Sequence, residues 1–176
     1  MEIEGNEGTM QLNIKSIKRE GHVEFDHKEP LPRIAAEVID IKEIDPIRVT
    51  GTATWADPIL LVEGKIETTV HYICSRCLTV FERPLSTRLS RAYSVDAGQV
   101  EEDIPLVSGE SLDLTPDIEE AVFLSLDERP LCQDDCKGLC PECGRNRNEE
   151  ACSCDTRPID PRLAALKDLL SDGDSE

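Results

Sequence analysis

The sequence predicts an α+β fold: an antiparallel β-meander with one or two helices and a cysteine-rich C-terminal segment. Three consecutive runs between residues 47 and 95 alternate apolar and polar side chains, the pattern of half-buried strands. Two Pro-containing helix starts follow these runs, and the cysteines fall into close pairs. At 176 residues the chain fits about one domain with a small appendage. We expect a β-rich core with an acidic connector and a helix over 1–131, and a cysteine-rich tail with a terminal helix over 132–176.

The N-terminal residues are weakly patterned. Alternating apolar residues over 10–14 predict a short strand. Glycine and prolines between 21 and 32 predict a loop. The apolar run over 34–44 changes phase in its middle, which predicts a bulged strand.

The central runs cover 47–55, 59–72 and 85–95. Their short connections predict that sequential strands pair antiparallel. Pro84 and Arg91 interrupt the apolar face of the third run, so we expect that strand at an edge of the sheet.

Two helices are predicted after the meander. Thr115-Pro116-Asp117 has an N-capping residue, Pro at the first helical position and an acid in the first turn. Apolar residues at helical spacing follow over 118–126, and Pro130 ends this segment. Asp160-Pro161 opens a second helix with leucines on one side over 163–170.

The chain is strongly acidic, and its charge is uneven. It has 19 basic and 37 acidic residues, a formal charge of −18. Residues 96–135 alone carry one basic and 13 acidic residues, whereas 1–95 and 136–176 each carry a net −3. The acidic segment 96–135 is either a solvated face or a docking surface for a basic partner. Net negative charge argues against nucleic-acid binding over the whole surface.

No apolar run is long enough to span a membrane, so no membrane partner is expected. Residues 1–9 are acidic and have no apolar stretch, which argues against a secretory signal or a transit peptide. We therefore expect a cytoplasmic protein.

The eight cysteines form four close pairs, the ligand spacing of tetrahedral zinc. The pairs are Cys74/Cys77, Cys132/Cys136, Cys140/Cys143 and Cys152/Cys154. Four pairs supply the ligands of two zinc ions. Gly144 after Cys143 suits the left-handed backbone that such turns need.

Two groupings of the pairs are possible. The first joins Cys140/Cys143 with Cys152/Cys154, which closes a short loop, and leaves Cys74/Cys77 with Cys132/Cys136. The second joins Cys132/Cys136 with Cys140/Cys143, and Cys74/Cys77 with Cys152/Cys154. We favour the first and keep the second as an alternative.

Other cysteine chemistries fit the sequence less well. The cysteine density is low for a disulfide scaffold, and no export signal is visible. A redox Cys-x-x-Cys lies at a helix N-terminus rather than a hairpin tip, and the spacings match ferredoxins poorly. With four protein ligands each zinc site is closed and structural, which makes the tail a zinc-binding segment.

No catalytic constellation is present in the sequence. His22, His27 and His71 have no ligand spacing, and there is no Ser-His-Asp order or phosphate loop. We expect a non-enzymatic protein without a small-molecule substrate.

The cysteine region resembles the bacterial YceD-like family. Five segments carry the resemblance: Tyr72-Ile-Cys-Ser-Arg-Cys-Leu78, Leu131-Cys132, the run from Cys136 to Asn148, the Cys152/Cys154 pair, and Asp160 to Leu166. That family is implicated in accumulation of the large-subunit ribosomal RNA, and its genes often neighbour that of a zinc-bearing ribosomal protein. The resemblance implies a role in large-subunit biogenesis rather than catalysis.

Three molecular roles are compatible with these features. The first is an acidic adaptor for a basic ribosomal protein, because segment 96–135 is so negative. The second is direct binding of ribosomal RNA through basic residues around the cysteine pairs. The third is a zinc-stabilised scaffold unrelated to ribosomes. The candidate RNA contacts are Arg76, Lys137, Arg145, Arg147 and Arg157.

Overall fold

The computed structural model describes residues 10–96, 104–107 and 109–154 of the chain. These residues fall into two compact units. The first lies within Met1–Ser75 and Thr79–Cys132, and the second within Arg76–Leu78 and Gln133–Glu176. No helix of the described residues is long and apolar enough to cross a membrane.

The first unit contains the regular secondary structure of the described residues, and its strands are mostly antiparallel. In chain order the elements are β1 (Gln11–Asn13), α1 (Ile14–Glu20), β2 (His22–Glu29), α2 (Pro32–Glu37), β3 (Ile41–Ile44), β4 (Ile47–Ala56), β5 (Ile59–Ile73), β6 (Val80–Ser94), β7 (Ser111–Asp113) and α3 (Thr115–Phe123).

The main sheet has five strands in the order β2-β4-β5-β3, and β6 also pairs with β5. The β5 strand pairs with β6 over its full length, from Ile59 opposite Ser94 to Ile73 opposite Val80. Both β4 and, further along, β3 also pair with β5. The described strands β4, β5 and β6 form the predicted antiparallel meander, and the α+β class is confirmed.

The N-terminal predictions need correction. Residues 22–29, predicted as loop, form β2, which pairs with β4 from His22 opposite Thr54 to Glu29 opposite Ile47. This strand buries only Phe25 and is otherwise rich in charge, which explains why it was missed. The predicted strand over 34–44 is wrong in its first half: α2 ends at Glu37, and only β3 is extended. A bulge is present but lies later than the predicted phase change, in β3, where the register shifts between Ile41 and Glu43.

The short strand predicted over 10–14 ends earlier than expected. Asn13 closes β1, and its side chain accepts a hydrogen bond from the Ser16 backbone N–H at 3.0 Å. This N-cap starts α1 at Ile14. The β1 strand pairs with β7, a strand inside the acidic connector that the sequence pattern did not predict.

The helix predicted at Thr115 is present as α3 but is shorter than predicted. Thr115 is its first helical residue rather than its cap, and the helix ends at Phe123, before the predicted Pro130. The helix predicted over 160–170 lies outside the described residues.

The hydrophobic core belongs entirely to the first unit. Its largest fully buried side chains come from the main sheet, from β1 with the residue before it, from α1 and α2, and from α3 with the residue before it. Ile118 and Val122 are the buried residues of α3. No residue of the described second unit belongs to this core.

The second unit is held by backbone hydrogen bonds around a small hairpin, residues 138–147. Cys140 N–H donates to Arg145 C=O at 2.8 Å, and Arg147 N–H donates to Gly138 C=O at 2.9 Å. Leu139 forms an isolated antiparallel bridge with Asn146. This hairpin places the cysteines of the tail.

Candidate metal centre

The eight thiols lie in two clusters of four. The first cluster is Cys74, Cys77, Cys132 and Cys136, and the second cluster is Cys140, Cys143, Cys152 and Cys154. Within each cluster all sulfur atoms lie within 4.8 Å of one another. This is the first of the two groupings considered from the sequence.

The chain turn after β5 positions Cys74 of the first cluster. Cys74 N–H donates to Thr79 C=O at 3.0 Å across the turn. Ser75 donates both its backbone N–H, at 2.9 Å, and its hydroxyl, at 3.2 Å, to Pro130 C=O. These bonds fix the backbone at Cys74 relative to the segment that leads to Cys132.

The hairpin of the second unit positions the second cluster. At its tip Gly144 N–H donates to Cys140 C=O at 2.8 Å. Gly144 has a φ of 71°, the left-handed conformation expected after Cys143. The turn therefore brings Cys140 and Cys143 to the same side.

In the second cluster the thiols of Cys140, Cys152 and Cys154 have shifted pKa values. The backbone N–H of Cys143, followed by that of Glu142, lowers the pKa of the Cys140 thiol to about 6. The pKa of Cys154 is raised to about 12, first because its thiol hydrogen-bonds to Cys143. The pKa of Cys152 is raised, first by its hydrogen bond to Cys140. A thiolate is already favoured at Cys140, and a bound cation would displace the protons of Cys152 and Cys154.

The donor sets fit zinc. Four thiolates at 2.3 Å from a tetrahedral ion lie about 3.8 Å apart, which is compatible with the 4.8 Å limit observed. With four protein sulfurs, an ion in either cluster would have no open position for substrate. The clusters therefore suit structural metal rather than catalytic metal.

The two clusters differ in burial. Cys74, Cys77 and Cys136 are at most 5% exposed. In the second cluster Cys140 is 2% exposed, but Cys143 is exposed. Solvent and chelators therefore reach the second cluster more easily.

Asn148 is a polar contact of the first cluster that the sequence pattern did not single out. Its side-chain Nδ2 lies 3.3 Å from Cys136 Sγ and donates to it. Short Asn side chains that follow a cysteine turn are the signal that could have identified it, because they often hydrogen-bond nearby backbone.

The basic residues proposed as RNA contacts have different surroundings. Arg76 donates from Nη1 to Cys136 C=O at 2.9 Å, so its guanidinium stabilises the backbone at Cys136. Arg145 lies 3.9 Å from Glu150, while Lys137 and Arg147 are exposed. Arg157 lies outside the described residues. The described second unit contains no aromatic side chain on which a base could stack.

Much of the acidic segment is neutralised by bases of the first unit. Five of its acids form ion pairs there: Glu110 with Lys15, Asp117 and Glu120 with Arg91, Glu119 with Arg33, and Asp127 with Arg83. Four exposed acids of the segment have no ion pair among the described residues: Asp113, Glu128, Asp134 and Asp135. Asp113 accepts a hydrogen bond from the Thr115 N–H at 2.9 Å at the start of α3, and the other three lie together in sequence over 128–135.

The histidines contact strand and loop side chains rather than cysteines, and His71 lies in β5. Its Nε2 lies 3.1 Å from Asp45 Oδ1, and its side chain is 22% exposed. His22 contacts Thr54 Oγ1 at 3.2 Å. Neither these two residues nor His27 belongs to a metal-ligand group among the described residues.

Comparison with known proteins places the chain among bacterial relatives. It is 34% identical over 146 residues to the uncharacterized protein ML1660 of Mycobacterium leprae, covering 80% of this chain and 67% of that protein. It is 27% identical over 154 residues to the uncharacterized protein YlbN of Bacillus subtilis, covering 86% and 90%. Identity to Rv2926c of Mycobacterium tuberculosis is 32% over 123 residues, covering 63% and 56%. No solved structure matches the chain.

The family comparison covers both cysteine clusters. The model described as large ribosomal RNA subunit accumulation protein YceD matches residues 62–170, more than half of the chain. This match begins in β5 and contains all eight cysteines. The chain therefore belongs to the YceD family.

Proposed function

We propose that this protein is a non-enzymatic zinc-binding factor in accumulation of the large-subunit ribosomal RNA, acting as an acidic adaptor for a basic ribosomal protein. The family match over residues 62–170 is the observation that carries the ribosomal role. The net charge of −18 and the two four-thiol clusters support the molecular role.

Zinc would be held by the first cluster and by the second cluster, one ion in each. Its role is structural: it supplies the cross-links that a unit without a hydrophobic core requires. The closed ligand sets are the reason that we propose a non-enzymatic protein.

The adaptor role rests on charge that the fold leaves uncompensated. Glu128, Asp134 and Asp135 are exposed and have no ion pair among the described residues. A basic ribosomal protein meeting these acids would associate faster and with the correct orientation. The acids that pair with the sheet arginines contribute less, because their charge is already matched.

The adaptor is tested by capture of ribosomal proteins. The tagged full-length chain is mixed with the total protein of large ribosomal subunits after nuclease treatment. We expect one or a few basic proteins to be retained. The triple variant Glu128→Gln, Asp134→Asn, Asp135→Asn should retain about tenfold less.

A matched variant controls for net charge. Glu24→Gln, Glu43→Gln, Glu63→Gln removes the same charge from exposed positions on the sheet strands. It should retain as much ribosomal protein as the unmodified chain. Equal retention by both triple variants would refute docking through the acidic segment.

Direct RNA binding is the rival outcome. A gel shift with ribosomal RNA fragments at low salt, lost in the Arg145→Ala, Arg147→Ala variant, would favour it. A scaffold unrelated to ribosomes would show neither protein capture nor a gel shift.

A further inference from the structure

The four hydrogen bonds of the Asn148 amide define its orientation. Its Oδ1 accepts from Lys137 N–H at 2.8 Å and from Gln133 Nε2 at 3.3 Å. Its Nδ2 donates to Asn146 Oδ1 at 2.9 Å and to Cys136 Sγ at 3.3 Å. A backbone N–H only donates, so the atom facing Lys137 is the oxygen and the NH2 group faces the thiol.

Asn148 is held in place by the hairpin of the second unit. It directly follows Arg147, whose N–H donates to Gly138 C=O at 2.9 Å. Its own backbone N–H donates to Asn146 Oδ1 at 3.1 Å. The other end of this hairpin carries Cys140 and Cys143 of the second cluster.

We infer that Asn148 is a positioning residue that couples the two clusters: metal in the second cluster closes the hairpin, and the hairpin holds the Asn148 amide against Cys136 of the first cluster. This inference rests on the proposed zinc binding. An N–H donor to a thiolate ligand stabilises its negative charge and orients it, and loss of such a contact typically lowers metal affinity 10- to 100-fold.

The coupling has a direction that follows from sequence position. Asn148 lies between Cys143 and Cys152, inside the loop that the second cluster closes, while its amide contacts Cys136. An empty second cluster leaves this loop without its metal cross-link. Metal in the second cluster therefore raises the affinity of the first cluster, and linkage makes the effect reciprocal.

A double-mutant cycle on the full chain tests the coupling. Cobalt(II) alone is titrated into the metal-free protein, and the thiolate-to-cobalt absorption is followed. In the unmodified chain, the Cys143→Ser, Cys154→Ser change should lower the cobalt affinity of the first cluster about tenfold. In the Asn148→Asp background the first cluster should already be weakened, and the same change should have no further effect.

Asn148→Asp is the informative substitution, because it keeps the oxygen that accepts from Lys137 and replaces the donor at Cys136 by a charged acceptor oxygen. Arg147→Gln lowers the charge by the same one unit at the neighbouring residue and should bind cobalt like the unmodified chain. A first cluster that keeps its affinity in Asn148→Asp would overturn the inference and leave zinc binding intact. A chain that binds no cobalt would overturn the proposed zinc function together with the inference.

A second measurement needs no variant. With cadmium-113 in both clusters, the Asn148 side-chain amide protons should show scalar coupling to the metal through Cys136 Sγ. Absence of this coupling in the folded, cadmium-filled protein would overturn the inference even if the variants fail to fold.

Discussion

Gly138 and Gly144 have nearly the same backbone conformation but different surroundings. Their φ values are +70° and +71°. A Cβ built on Gly138 would lie 3.0 Å from Arg76 C=O, whereas nothing lies within 4 Å of one built on Gly144. A side chain at Gly144 would meet backbone strain alone, whereas a side chain at Gly138 would meet the same strain and steric crowding as well.

We predict that Gly138→Ala lowers zinc affinity more than Gly144→Ala does. Both variants place Ala in the left-handed region, at a cost of about 1–2 kcal/mol, or about tenfold in affinity. Gly138→Ala also pushes the backbone away from Arg76. Competition with a coloured zinc chelator measures the difference, and equal affinities in the two variants would contradict the crowding at Gly138.

The site residues that could be predicted from the sequence are those that act together with residues close to them in the chain. The cysteine pairs identify ligand candidates because two thiols a few residues apart reach one ion within a turn. Spacing favoured the first grouping, because it closes a short loop, but it did not exclude the second. An Asn that follows a cysteine turn is a signal for hydrogen bonds to nearby backbone, but it does not indicate the contact with Cys136, which exists only once the hairpin has formed.

At the scale of elements, α3 is attached to the sheet by both burial and charge. Ile118 and Val122 are fully buried, and Tyr93 donates its hydroxyl to Asp117 Oδ2 at 2.6 Å. Burial, followed by that hydrogen bond, raises the pKa of Tyr93, so the hydroxyl keeps its proton at any physiological pH. Arg91 of β6 pairs with both Asp117 and Glu120.

We predict that Ile118→Ala lowers the free energy of unfolding by about 2–5 kcal/mol, because it leaves a cavity under the helix. Leu124, which is 79% exposed at the end of the helix, is the control. Leu124→Ala should change the free energy by less than about 0.5 kcal/mol. Urea unfolding followed by circular dichroism measures both, and similar losses would show that α3 is not part of the core.

The elements that were predicted correctly are those with a long, regular pattern. The β4, β5 and β6 strands alternate over ten or more residues, and each has a buried face. The β2 strand was missed because a charged edge strand buries a single side chain. The six-residue α2 is too short to show a helical period, and the apolar residues in and after it alternate as they would in a strand.

On the scale of the whole molecule, the described hydrophobic core lies in the first unit, whereas six of the eight cysteines lie in the second. The described core residues all belong to the first unit, and the second unit has thiols and backbone hydrogen bonds instead. A segment without its own core cannot offset the entropy of ordering unless something else stabilises it. The two units should therefore respond differently to metal removal.

We predict that chelation unfolds the second unit and spares the sheet. After EDTA treatment, the amides of Cys140, Gly144 and Arg147 should exchange with deuterium within seconds. The amides that join β4 to β5 should stay protected. Hydrogen exchange read by mass spectrometry separates these regions, and unchanged protection over 133–154 would argue against structural metal.

We also predict that capture of a basic ribosomal protein weakens with salt. The screening length falls from about 10 Å at 0.1 M to about 3 Å at 1 M, so exposed acids such as Glu128 lose their effect on an approaching partner. The affinity should fall at least tenfold over this range, as measured by calorimetry. A salt-independent affinity would point to an apolar interface instead.

The spacing of the first cluster along the chain has a consequence for synthesis. Cys74 and Cys77 leave the ribosome more than 50 residues before Cys132 and Cys136. The β5–β6 hairpin can close as soon as residue 94 has emerged, so the nascent chain carries a folded sheet with an unfinished pair of thiols. With the zinc proposed above, maturation has two stages: hydrophobic collapse of the sheet, and metal binding by the first cluster once residue 136 has emerged.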